Sequence, residues 1–191
     1  MLRLFGAVLI GAVVAHPAAA PPGRWIDLGA HRLHLHCAGQ GSPTVVVETG
    51  FDEFGSDWTL VQRAVAPATR ICTYDRAGYG GSEPGPLPRT FAQIGLELHD
   101  ALAKAGEKPP FVLVGHSFGG GVVRQYALDH PADVAGMVLV DIVSENQRIP
   151  MGDRVALIAD DARGRPIPAA QADTPRPRSG GAGAPTSTVP P

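Results

Sequence analysis

The segment Gly115-His116-Ser117-Phe118-Gly119 sets a serine between two glycines, directly after the apolar run Phe111-Val112-Leu113-Val114. A strand that ends in Gly-x-Ser-x-Gly and passes at once into a helix makes a sharp turn, the nucleophile elbow, which lifts the serine hydroxyl to the top of a sheet. The chemistry this permits is attack of the Ser117 oxygen on an electrophilic carbon. Gly115 and Gly119 have a steric reason to be there, because a side chain at either would press on the adjoining strand or helix. The helix that follows aims free N–H groups and its positive dipole end at the reacting centre. A serine is weakly nucleophilic on its own and needs a base.

The chain has seven histidines, and none follows His130. His16 lies near the N-terminus, and His116 immediately precedes the serine. His99 and His130 fall on helix-like segments away from the elbow. His31, His34 and His36 sit on an alternating stretch, with His34 and His36 on one strand face. Two histidines so spaced could hold a metal, but no third ligand is near, so they read as surface strand residues. Serine chemistry requires no metal and no organic cofactor.

At 191 residues the chain is long enough for one domain with a real core. A net charge of −2 without a basic stripe argues against nucleic acid as a partner. Arg3, the apolar run Leu4 to Ala15 and the small residues Ala18, Ala19 and Ala20 form a signal-peptide pattern. This predicts export to the periplasm or beyond, with cleavage after Ala15 or Ala20 or with the segment left uncleaved. A membrane anchor or a buried strand is the alternative. Nothing further along is apolar for long enough to be a transmembrane helix. Cys37 and Cys72 are an even count, which permits a disulfide in an exported protein.

The elements that must position Ser117 can be read in order. Residues 1–23 are signal peptide and linker. Trp25 to Leu28 and His31 to Cys37 alternate apolar and polar around Gly29-Ala30, a hairpin signature. Thr44 to Glu48 reads as a buried parallel strand. Asp57 to Ala66 carries Trp58, Val61 and Val65 at helical spacing and stops at Pro67. Arg70 to Tyr74 is a short strand before the glycine-rich loop 75–82. Thr90 and Gln93 form a capping box for a helix reaching about Ala105. After the elbow helix, which ends near His130-Pro131, Val134 to Val140 reads as a buried strand closed by Asp141. Met151 to Ala162 is compatible with one more helix. Alternating strands and helices predict an α/β domain with a mostly parallel sheet, over residues 24–162. Residues 163–191 are rich in Pro, Ala and Gly, bury nothing large, and are expected to be disordered.

Three motifs, each after its own strand, resemble the α/β-hydrolase superfamily, and most closely its exported bacterial esterases and lipases. They are the elbow, Val47-Glu48-Thr49-Gly50-Phe51, and Tyr74-Asp75-Arg76-Ala77-Gly78-Tyr79-Gly80-Gly81-Ser82. The resemblance implies helices on both faces of the sheet and Ser117 as nucleophile. It places the oxyanion donors at the backbone N–H groups of Phe51 and Phe118, with Gly50 allowing close approach. His116 should point away from the attacking hydroxyl, and Asp75 and Arg76 should hold their loop. Asp141, closing the sixth strand, is a candidate acid, with a loop or capping Asp as the alternative. The family's sheet order makes the second and fourth strands neighbours, so a Cys37–Cys72 disulfide is plausible; two buried thiols are the alternative.

The departure is the base. The resemblance places it well after the sixth strand, where this sequence has no histidine. The expectation is therefore a serine hydrolase that is incomplete after its sixth strand and impaired. The tail has the bias of a GC-rich gene read out of frame. The alternatives are a non-catalytic fragment, a secreted binding module, or a half-enzyme completed by another chain. The expected partner is a small ester-like molecule, with self-association through an open sheet edge.

Overall fold

The computed structural model describes residues 22–143 and the backbone of 148–151 and 154–157. The segment expected to be a signal peptide, up to residue 21, and the 163–191 tail lie outside the described residues. Six strands form the main sheet: β1 (Arg24–Asp27), β2 (Arg32–Ala38), β3 (Thr44–Glu48), β4 (Ile71–Tyr74), β5 (Phe111–His116) and β6 (Val134–Val140). Their spatial order is β1-β2-β4-β3-β5-β6. β2 runs antiparallel to β1 and β4, while β3, β4, β5 and β6 are mutually parallel. This is the α/β sheet with a leading hairpin that the alternation predicts.

The central strands are apolar because both of their faces are covered. Val46, Val47, Ile71 and Leu113 are all buried. On one face lie α2 (Phe91–Ala105) and α3 (Gly119–Asp129), which contribute Leu98, Ala101, Leu102, Val123 and Tyr126 to the core with Leu33 and Leu35 of β2. Thr90 caps α2 by accepting from the Gln93 N–H at 3.1 Å, and Gly106 ends it with φ of 78°. Both ends follow from side-chain chemistry legible in the sequence.

Cys37 pairs directly with Cys72 across β2 and β4, and the two form a disulfide with Cα atoms 4.0 Å apart.

Four sequence expectations need correction. The helix α1 (Thr59–Val65) exists, but its buried residue is Gln62, which donates to the His36 carbonyl at 3.0 Å; Leu60 and Val61 are exposed. β6 is not buried: Met137 through Val140 are each about two-fifths exposed or more, because among the described residues β6 is the edge strand and pairs only with β5. The segment expected to be a helix from Met151 instead contributes two short antiparallel strands, β7 (Arg148–Met151) and β8 (Arg154–Leu157). Finally, His31 and His34 are buried, and His36 is partly buried. β2 lies inside the sheet, so the polar face of its alternating pattern is covered as well.

Candidate active site

β5 delivers the elbow between β3 and β6, pairing Glu48 with Gly115 and His116 with Val140. Ser117 leaves β5 with φ of 48°, a conformation that a residue with a Cβ adopts only under constraint. The constraint is visible. Its N–H donates to the Val140 carbonyl at 3.1 Å, and its own carbonyl accepts from Gly120 at 3.1 Å and from Val143 at 3.4 Å. A Cβ on Gly115 would stand 2.7 Å from Val123 Cγ2, and one on Gly119 would strike the carbonyl oxygens of Glu48 and Thr49. The two glycines therefore let α3 fold back against β3 and β5, as the sequence predicts.

Phe118 precedes the first turn of α3, and Phe51 lies in the turn after β3; their rings meet edge to face at 6.1 Å. Among the described residues, neither the Phe51 nor the Phe118 N–H donates to a backbone carbonyl outside helices and strands.

What holds these donors is a buried polar network. Arg76 is fully buried and donates to Glu48 Oε1 at 3.0 Å, the Thr49 carbonyl at 2.8 Å and the Gly50 carbonyl at 2.6 Å. Its guanidinium also lies 5.2 Å from the centre of the Phe118 ring. A single cation thus ties the turn after β3 to the elbow. The Tyr74 hydroxyl donates to the other Glu48 oxygen; burial first and the Glu48 charge second push that phenol well above its ordinary range.

Below the elbow, His116 Nδ1 lies 2.8 Å from Glu53 Oε1, so this ring is turned to the turn after β3 rather than to the hydroxyl. Glu53 also accepts from the Gly50 N–H at 2.7 Å. Burial raises the Glu53 carboxyl, but the bonds from Gly50 and His116 outweigh it and hold it low. Gly50 is needed for a reason beyond substrate approach: a Cβ there would stand 2.8 Å from His116 Nδ1 and 2.9 Å from Glu53 Cδ. Neither Glu48 nor Glu53 was singled out from the sequence. Glu48 had a signal, since a carboxylate ending an apolar central strand must find a cation; Glu53 had none.

Asp75 holds the other loop. Its carboxylate accepts from Gly55 and Gly81 at 2.9 Å each and lies 3.3 Å from His34 Nδ1. Burial pushes this carboxyl up; the His34 contact and the two N–H groups together prevail and hold it below 3.8. His34, His36 and Asp75 line a cavity of about 470 Å³ between β2, β4 and the start of α1, and His34 supports the loop through Asp75.

Asp141 is exposed, has φ of 43°, and leaves β6 beside the point where Ser117 leaves β5. The fold brings the two backbones together. Among the described residues, histidine ring nitrogens pair with Glu97, Asp75, Asp100, Asp133 and Glu53, and none with Ser117 or Asp141.

The model of the alpha/beta hydrolase fold matches residues 43–178. The chain belongs to this family. Curated relatives include the efuK protein of Hormonema carpetanum, named as a transporter, which is 38% identical over 128 residues, 63% of this chain and 18% of that protein. An AB hydrolase superfamily protein of Gibberella zeae is 33% identical over 106 residues, 55% of this chain and 33% of that one. RutD of Klebsiella pneumoniae, named for carbamate hydrolysis, is 37% identical over 103 residues, 53% of this chain and 38% of that one. The chain thus spans well under half the length of these relatives. Among solved structures, the esterase EaEST of Exiguobacterium antarcticum superposes with a TM-score of 0.60 at 20% identity, over 66% of this chain and 48% of that one. The epoxide hydrolase CorEH does so with 0.60 at 22%, over 72% and 47%. Its fold is that of the α/β hydrolases.

Proposed function

We propose that the chain carries the nucleophile and oxyanion hole of an exported serine hydrolase acting on ester-like carboxylic substrates. The observation that carries this is Ser117 held at φ of 48° at the end of β5, next to Phe118, whose ring meets that of Phe51 at 6.1 Å. Ser117 Oγ attacks the carbonyl carbon and a base takes its proton. The carbonyl oxygen, now an oxyanion, is held by the two N–H groups. Collapse expels the alcohol and leaves an acyl-serine, which water hydrolyses. Asp141 is the candidate partner of the base. The Cys37–Cys72 disulfide supports export, since such bonds persist in oxidising compartments.

Among the described residues no histidine ring nitrogen pairs with Ser117 or Asp141, and on this reading turnover without an added base is slow. The exposed apolar strand β6 favours a second reading, in which further strands and a base from another chain, or a second copy, join the sheet at that edge. A non-catalytic binding module would keep the pocket without turnover.

Hydrolysis of p-nitrophenyl butyrate by the disulfide-intact chain separates these. The expected result is slow release above the Ser117→Ala variant, and a several-fold rise with added imidazole that the variant does not share. Equal rates for both proteins, with and without imidazole, would leave the binding module. A fast Ser117-dependent rate without imidazole would place a base within the chain.

A further inference from the structure

At the end of α3 opposite the elbow, three side chains from three pieces of backbone converge. They are His99 of α2, His130 at the C-cap of α3, and Asp133 in the short turn that leads into β6. One ligating atom from each lies within 4.8 Å of the others. His99 Nε2 is 3.7 Å from Asp133 Oδ2, close to the roughly 3.4 Å between donors around a tetrahedral zinc ion. The His99 and His130 rings stack at 4.0 Å with planes 6° apart, so both must turn out of the stack to share an ion.

From this cluster we propose a divalent transition-metal site, with His99, His130 and Asp133 as ligands and zinc as the ion. Two imidazoles and one carboxylate suit zinc, cobalt or nickel, and suit magnesium or calcium poorly. The surroundings are those of a metal site. His99 Nδ1 lies 3.3 Å from Asp100 Oδ1, the carboxylate–histidine–metal arrangement that fixes a ligand ring. The Tyr126 hydroxyl donates to Asp133 Oδ2 at 3.5 Å. The turn is set by the Asp133 N–H donating to the His130 carbonyl at 3.0 Å. His99 and Asp133 keep a third and a quarter of their side chains in solvent, which leaves room for entry and for water as a fourth ligand. With 11 residues of α3 between, the site stands about 16 Å from the elbow. Its role is to clamp α2 to the α3–β6 connection, not to act on substrate. The other convergent set, Cys37, Cys72 and Glu107, is closed to metals because its sulfurs form the disulfide.

Isothermal titration of zinc chloride into the chelator-treated, disulfide-intact chain tests this, alongside His130→Gln and Asp133→Asn. Circular dichroism and metal-free melting identify which variants are folded. The expected result is one tight site per chain, weakened at least tenfold in each folded variant, with no comparable heat from magnesium. Absence of a tight site, or a folded variant that keeps the wild-type affinity, would overturn it.

Discussion

Single residues decide whether the loops around Ser117 stay in place. Asp75 spends its carboxylate on the N–H groups of Gly55 and Gly81 and on His34, so Asp75→Asn leaves buried donors short of an acceptor. The expected cost is about 1–3 kcal/mol at pH 7, read from urea unfolding. The pH dependence has a definite sign. The folded carboxyl is held below its ordinary value, so its contribution is present above the unfolded value and fades as pH falls through the folded one. The gap between wild type and variant should therefore narrow at pH 3. A gap of equal size at both values would mean that the carboxylate charge is not what holds the loop. Arg76 works in the same way at the turn after β3, where one buried cation satisfies two carbonyls and Glu48 at once.

Elements explain why much of this was legible and where legibility stopped. The strand–turn–helix pattern around Ser117, the Thr90 cap and the β2–β4 adjacency of the cysteines are local or topological, and all stand as read. What failed depended on what covers each face. Val134 to Val140 has the composition of a buried strand, yet its exposure is set by a neighbour the pattern does not contain. His34 has the alternation of a surface residue, yet a loop distant in sequence folds over it. The reverse holds for α1, whose apolar Val61 faces out while Gln62 finds two backbone carbonyls inside. The disulfide gives an element-scale test. It closes a 35-residue separation between a hairpin strand and the sheet. Replacing both cysteines by serine should cost about 3–4 kcal/mol in denaturant unfolding, and no loss would mean that the hairpin is held by packing alone.

At the scale of the whole molecule, the sheet, α3 and the buried Arg76 network converge on one small region, the top of β5, where Ser117 leaves the strand and where the proposed oxyanion donors belong. Under the proposed function, ester-like carbonyls are the substrates, and such a site stabilises an oxygen that gains charge only as the carbonyl becomes tetrahedral. Everything proposed about turnover rests on Ser117 being an accessible nucleophile there. The most direct measurement is reaction of the disulfide-intact chain with a fluorophosphonate in the presence of imidazole, followed by intact-mass and peptide mapping. The expected result is a single adduct on Ser117, faster with imidazole and absent from Ser117→Ala. Labelling spread over other hydroxyls at comparable rates, or a Ser117 that stays unmodified while the chain is folded, would contradict it.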